Sequence, residues 1–283
     1  MKKEDSEIKI NRFIDRFLFA EINLHFLAIF RILLSLIVLF VFFYINEPSH
    51  ILYTDFYYYY DFYVLYIITK PYLIISGTCV VFFGVGYRSR LFGFISVFLL
   101  FPLIFQYGIH ISRQILISVL FSFSFLRSDQ TLALRNLVEK RTEIYPQPIW
   151  PVRLIQIQLT VLYLANAVVK STPQFLSGEV LKGLSIMLPN FKLDLSNGFL
   201  DMGFITIPVM FLGIATVVSE YYLAFGFWIE KTRILTAIFG VIFHIILKQV
   251  IDIGFLDYVA VFLYLSFLIP WEKNVDFEMN YPS

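Results

Sequence analysis

The sequence predicts an all-α integral membrane protein, a polytopic bundle of about eight transmembrane helices with both ends in the cytoplasm and an interfacial helix at the N-terminus. Three observations predict it. Of 283 residues, 59% are hydrophobic, 19% aromatic and only 15% charged, whereas a soluble domain carries about 25% charged residues. A soluble chain of this length builds one or two cores and cannot hide that much apolar surface from water. Apolar runs long enough to cross a hydrocarbon core of ~30 Å, about 20 helical residues each, recur along the chain. Lysine and arginine are shared unevenly between the segments that join these runs.

Residues 1–23 form a charged cytoplasmic N-terminus, too polar for a signal peptide. Ile10, Phe13, Phe17 and Leu18 fall at helical spacing there, the pattern of a helix lying in the interface. The transmembrane domain is placed at 24–270, and 271–283 are a cytoplasmic tail. Its spans are expected at roughly 24–44, 65–86, 91–107, 111–127, 150–170, 205–228, 234–250 and 254–270. The third and fourth are short and tightly joined, so they tilt or form a re-entrant pair. The first run has no small-residue cleavage pattern after it and reads as a retained span.

Charge tests this arrangement. With the N-terminus inside, the cytoplasmic segments hold Lys2, Lys3, Lys9, Arg12, Arg16, Arg88, Arg90, Arg127, Arg135, Lys140, Arg141, Arg153, Lys231, Arg233 and Lys273. The outer segments hold only Lys70, Lys182, Lys192 and Lys248. Fifteen against four is the positive-inside asymmetry of a protein of the cell (inner, cytoplasmic) membrane. The formal net charge of +1 gives no hint of a nucleic-acid partner; the lipid bilayer is the partner that composition implies.

Two outer segments are long. "NEPSHILYTDFYYYYDFYVLY" is rich in tyrosine, which reads as an aromatic belt at the interface or as an aromatic ligand platform. Ser171–Ile205 is punctuated by Pro173, Gly178, Pro189 and Gly198 and is expected to mix short helices with turns. The single cysteine, Cys79, excludes an intramolecular disulfide and is read as a small embedded residue rather than a reactive thiol. The four histidines show no metal-ligand spacing, and no metal is predicted. Serine-hydrolase, zinc-protease, P-loop and dinucleotide-binding signatures are missing from any suitable context. The glycine cluster "FFGVGYRSRLFG" reads as a tight inner turn.

A charge near the bilayer centre costs at least ~2.5–3.5 kcal/mol, so the ionisable residues inside spans are the candidates for function: Arg31, Glu220, His244 and Lys170, with His110 and Arg113 at an outer edge. Arg31 and Glu220 lie at similar depths from the inner side, roughly 10 Å in, and are expected to form a structural ion pair. Lys170 ends its span at the outer interface. Gln156, Tyr163, Asn166 and Lys170 follow steps of seven, three and four and share one helix face. A lysine snorkelling to headgroups needs no polar stripe below it, so two readings stand: an anchor, or an amine in an outward-facing cleft lined by Gln156, Tyr163, Asn166 and, from the turn near His110, Gln114. His244 is either a hydrogen-bonded helix contact or a catalytic helper.

Five stretches together resemble a known family: "LAIFRILLSLIVL", "FGVGYRSRLFGFISVFLLF", "WPVRLIQIQLTVLYLANAVVKSTPQFLSG", "SEYYLAFGFWIEKTR" and "FGVIFHIILKQVIDIGFLDYVAVFLYLSFLIP". Their order and spacing are similar to the horizontally transferred transmembrane (HTTM) domain, the membrane part of vitamin K-dependent γ-carboxylases and their bacterial relatives. In the carboxylases a Val-Lys-Lys pattern supplies the base that deprotonates vitamin K hydroquinone; its second lysine falls on Lys170 and its first on Val169. The resemblance implies a reduced quinone, of the vitamin K or menaquinol kind, as cofactor. It also places His244 on the family's Phe-His position. The carboxylases' histidine near the start of the fourth span falls on Ser112, with His110 two residues earlier. They carry a large extra-membrane region that binds propeptide and substrate, for which 283 residues leave no room. A short branch, the sporulation-delaying-protein-B type, is nearer in size and serves maturation of a secreted peptide toxin.

The leading expectation is a bacterial protein that modifies or matures a peptide or lipid-soluble substrate, with Lys170 as base and His244 and His110 as helpers. A non-enzymatic membrane subunit of a peptide maturation or export system is the second expectation. A transporter is the third, without the paired interrupted spans that mark one.

Overall fold

The computed structural model describes residues 14–44, 62–106, 111–140, 144–188, 191–201, 206–251 and 254–269. His110, the tyrosine-rich outer loop up to Asp61 and the C-terminal tail lie outside them. The elements in order are α1 (14–19), α2 (Leu24–Leu39) running into a π-turn (Phe40–Tyr44), α3 (Phe62–Gly84), α4 (Ser89–Gln106) and α5 (Ile111–Phe123). A 3₁₀ turn (Ser128–Gln130) and α6 (Leu134–Glu139) follow, then α7 (Trp150–Lys170), α8 (Pro173–Leu176) and α9 (Glu179–Met187). A short antiparallel pair, β1 (Phe199–Asp201) and β2 (Thr206–Pro208), precedes α10 (Val209–Gly226), α11 (Arg233–Val250) and α12 (Leu256–Leu268). The described residues form two compact units that divide inside α7, between Ile155 and Gln156; the second ends at Leu268, and Ile269 belongs to the first.

In the first unit, Asn23 starts α2 by accepting hydrogen bonds from the backbone N–H of His25 and Phe26, both at 3.1 Å. Small residues set how closely its helices approach. A Cβ added to Gly84 would sit 2.2 Å from Ser35 Oγ, and one on Gly93 the same distance from Ser124 Oγ, so both contacts exclude any larger residue. Phe30 of α2 stacks on Phe123 of α5 with ring centres 5.3 Å apart, and Phe83 of α3 meets Phe123 edge-on.

Arg31 is fully buried on α2 and ties this unit together. It donates to the carbonyls of Gly84 at 3.1 Å, Ser128, and Leu132 at 2.6 Å. Gly86 closes the turn beside it with φ +74°, and a Cβ there would lie 2.8 Å from the guanidinium carbon. The glycine cluster is thus a tight turn as expected, and it seats an arginine. The pairing expected of Arg31 with Glu220 is corrected: Arg31 hydrogen-bonds backbone carbonyls, and Glu220 takes Lys170. Five fixed donors suit an arginine to carbonyls scattered around a turn, a match that residue depth along the helices does not reveal.

In the second unit, α10 packs beside α8, α9 and α11, and α11 beside α12. The segment after α7 does mix short helices with turns, and adds the β1–β2 pair over a small core of Leu195, Leu200 and Val209. Phe227 stacks between Tyr264 and Phe267 of α12, with centres 4.8 and 4.7 Å away.

Among the described residues, four helical stretches are long and apolar enough to cross a membrane: Leu24–Phe43, Trp150–Lys170, Val209–Gly226 and Arg233–Val250. Four shorter apolar helices, Pro71–Gly84, Ser89–Ile104, Ile111–Phe123 and Leu256–Leu268, fall where the other expected spans lie. The shortening of α12 has local causes. Gly254 turns the chain with φ +67° before it, and Pro270 disfavours helix at the residue preceding it.

Candidate functional site

The polar groups of the second unit gather on the inward faces of α7, α10, α11 and α12. On α11 the buried residues are Thr236, Gly240 and His244, one stripe at steps of four. On α10 the buried set includes Gly213, Val217, Glu220 and Ala224, another such stripe. Asp257 and Tyr264 are seven apart on α12, hence on one face, and both are buried.

His244 sits at the centre. Its Nδ1 lies 2.7 Å from Asp257 Oδ1 and its Nε2 2.7 Å from Tyr163 Oη. Tyr163 Oη in turn lies 2.5 Å from Tyr264 Oη. An ionised carboxylate only accepts, so Nδ1 carries the proton. In the neutral imidazole Nε2 then accepts from the Tyr163 hydroxyl, and Tyr163 accepts from Tyr264. The result is a one-way chain of donors, Tyr264 to Tyr163 to His244 to Asp257, with the carboxylate fixing the tautomer as second-shell carboxylates do. Gly240 makes room for it, since a Cβ there would come within 2.7 Å of the Tyr264 ring and hydroxyl.

Lys170 closes the last turn of α7. Its amine meets Glu220 Oε1 at 2.5 Å, with the lysine side chain 30% exposed and the glutamate 5%. The turn beyond Lys170 is fixed by Thr172, whose hydroxyl accepts from the Phe175 N–H at 3.3 Å. Phe175 is thereby folded in, its ring centre 5.9 Å from the amine. Gly213 admits this turn against α10: a Cβ there would stand 2.4 Å from the Phe175 carbonyl oxygen. Glu220 acts electrostatically on Tyr163, and His244 on Glu220, so the ion pair and the tyrosine–histidine chain are neighbours. Two buried oxygens, Glu220 Oε2 and Asp257 Oδ2, receive no hydrogen bond among the described residues.

The structure therefore brings together Lys170, Tyr163 and His244 of the expected set, and adds Glu220 from the expected ion pair. Asn166 is half-buried on the same face of α7. Gln156 is buried and donates its amide to the Ser266 carbonyl at 2.8 Å, which makes it a tie between α7 and α12. Gln114 is exposed on α5, in the first unit. Sequence reasoning missed Asp257 and Tyr264. Asp257 stands three residues inside an expected span end, where a carboxylate passes for a loop residue; its seven-residue spacing to Tyr264 was the signal available.

Among the described residues no three His, Cys, Asp or Glu side chains gather as metal ligands. The comparison with protein families is direct: the family model of the HTTM domain matches residues 19–271, nearly the whole chain. The chain belongs to the HTTM family. No curated protein and no solved structure matches it. Together with its apolar helices, membership makes this HTTM protein a membrane protein.

Proposed function

We propose that this HTTM protein is an enzyme that removes a proton from a peptide or lipid-soluble substrate, with Lys170 as the base, as the first step in modifying or maturing that substrate. The observation that carries this reading is the Lys170–Glu220 contact: a partly exposed amine paired with a buried carboxylate whose second oxygen receives no hydrogen bond among the described residues. One proton shared within the pair keeps it net neutral, which is cheaper in a low-dielectric bundle than separated charges. With that proton on Glu220, the amine is free to accept. Taking the substrate's proton leaves an ammonium ion beside a substrate anion, so charge and protons balance. Glu220 Oε2, which receives no hydrogen bond among the described residues, would accept one from a hydroxyl of the same substrate.

The His244 chain has a positioning role. Asp257 holds the imidazole and His244 holds the Tyr163 hydroxyl, which orients the polar wall next to Glu220. A quinol of the vitamin K or menaquinol class would supply an ionisable hydroxyl soluble in the bilayer. The donor set fits it: an amine to take the proton, an orphaned carboxylate oxygen to accept from a hydroxyl, and the Phe175 ring for apolar contact. His110, as a further helper, and the outward orientation of the cleft in the cell membrane of a bacterium belong to the same proposal.

The test uses full-length protein in membranes, supplied with reduced menaquinone and oxygen, with quinol consumption followed by mass spectrometry. Wild type should consume quinol faster than empty membranes, and Lys170→Ala should return the rate to that background while still inserting. Equal rates in the two well-inserted proteins would remove the proposal.

A second reading is favoured by one observation. Ile186 and Met187, at the end of α9, are 70% and 78% exposed. A non-enzymatic subunit of a peptide maturation system would use such a surface to hold a secreted peptide or a partner subunit, with Lys170–Glu220 as a structural clamp. Function that survives Lys170→Ala but is lost in Met187→Asp would select it.

A further inference from the structure

The first unit carries a pocket of about 330 Å³ lined by Arg88, Arg90, Arg127 and Arg135 together with Asp129 and Tyr145. The four arginines are not equivalent. Arg135 is spent on Asp129 at 2.8 Å and Glu139 at 2.9 Å, and those two carboxylates hold its guanidinium above the ordinary arginine range. Arg90 donates to the Phe125 carbonyl at 2.6 Å, and Arg127 lies over the Tyr145 ring. Arg88 meets Glu139 at 3.9 Å and lies over the Tyr87 ring. Arg90 and Arg127 are close enough to repel each other. Cations gathered this way at one opening are held against their mutual repulsion.

The loops that gather them are built at some cost. Arg88 has φ +47° and Leu132 φ +44°, a left-handed conformation that few side chains adopt. Arg31 fixes the second loop through the carbonyls of Ser128 and Leu132, and Leu134 N–H bonds the Val85 carbonyl at 2.8 Å. Beside the pocket, and sharing Asn136 with it, lies an apolar groove of about 520 Å³ lined by Val85, Leu132, Leu134 and Leu137. Its rim is exposed: Leu132 is 56% accessible, Leu137 79% and Val138 62%.

We infer that this paired site binds an anionic phospholipid, its headgroup phosphate on Arg88, Arg90 and Arg127 and an acyl chain along the Val85–Leu137 groove. Guanidinium forks match phosphate oxygens in pairs. A basic pocket at a membrane surface beside an apolar track is the combination that a phospholipid satisfies and a soluble phosphate only half satisfies. These arginines stand in segments that the charge asymmetry assigns to the cytoplasmic side, the side where anionic headgroups attract polybasic surfaces. The site shares no residue with the Lys170 site and does not depend on the proposed chemistry.

The test is lipid retention. Full-length protein is reconstituted in phosphatidylcholine nanodiscs with and without phosphatidylglycerol, and bound lipid is counted by native mass spectrometry. Wild type should keep phosphatidylglycerol in preference to phosphatidylcholine. Arg90→Gln with Arg127→Gln should weaken that preference by on the order of fivefold per arginine removed. Arg127→Lys, which keeps the charge, should retain most of it. Leu137→Asp, at a surface position whose change spares the fold, should also lower it. Melting temperature in phosphatidylcholine alone identifies variants that fail to fold. Inorganic phosphate, added to the phosphatidylcholine samples, is the second arm. If phosphate raises the wild-type melting temperature while phosphatidylglycerol shows no preference, the arginines serve a soluble anion and the lipid assignment is overturned. Equal retention of both lipids by wild type and by the double variant overturns it as well.

Discussion

The guanidinium of Arg31 spends its donors on three backbone carbonyls. A fully buried guanidinium inside an apolar helix announces itself by composition, because such charges are costly and must be met. The groups that meet it, the Gly84, Ser128 and Leu132 carbonyls, carry no side-chain signature at all. Carboxylates do carry one, which is why the sequence points to Glu220 as its partner. Arg31→Lys should therefore destabilise the protein even though the charge is kept, since one ammonium cannot span three carbonyls around a turn. The expected loss is about 2–3 kcal/mol, the worth of one charged hydrogen bond or more, read as a lower denaturation midpoint in detergent; an unchanged midpoint would refute the fork geometry. Lys170 and Glu220 make a different prediction. Removing one partner strands the other, so Lys170→Met alone or Glu220→Gln alone should cost more than the two changes together. A double-mutant cycle on unfolding measures this, and additive single effects would mean that the 2.5 Å contact carries no coupling. Asp257→Asn tests the donor chain. It frees Nδ1 of His244 to become the acceptor, and ¹⁵N shifts of the imidazole should report the change of tautomer.

At the level of elements, hydrophobic period and length placed every long helix within a few residues, because bilayer thickness imposes a ruler on them. They were less exact at ends controlled by single residues: the Gly254 turn and Pro270 shortened α12. The helix faces were legible on α7, where Tyr163 and Lys170 are seven apart, since polar residues stand out on an apolar helix. They were less legible on α11, where the decisive residue is a glycine. Gly240→Ala places a methyl group 2.7 Å from Tyr264. Overpacking of that kind costs about 1–3 kcal/mol, and it should also part Tyr264 from Tyr163. Gly183 on α9 has open space around its Cβ position, so Gly183→Ala should raise stability by about 0.5–1 kcal/mol through helix propensity alone. Thermal unfolding of the two variants should move in opposite directions. A shift of the same sign in both would mean that the close approach at Gly240 does not constrain the bundle.

For the whole molecule the strongest sequence signal is the distribution of charge, and it concerns orientation, which atomic contacts within each unit do not address. Among the described residues four helical stretches are long and apolar enough to span alone, whereas α5 and α12, at 13 residues each, reach only about 20 Å. Flanking residues and local thinning of the bilayer let short helices cross at modest cost, so length alone does not decide whether those two are spans. Counting them gives an even number of crossings and returns both ends to the side rich in arginine. Omitting either one reverses every segment that follows it. Lys182 and Lys231 lie on either side of α10, a single crossing apart, and Arg135 shares the inner side with Lys231 in the eight-span arrangement. In a Cys79→Ser background, which leaves no native thiol, Lys182→Cys should react with a membrane-impermeant maleimide in intact cells. Arg135→Cys and Lys231→Cys should react only after permeabilisation. If Arg135→Cys and Lys231→Cys report opposite sides, the number of crossings between them is odd, and Trp150–Lys170 and Val209–Gly226 cannot both be spans. If all three label from outside, the positive-inside assignment itself fails, and with it the cytoplasmic placement of the arginine pocket.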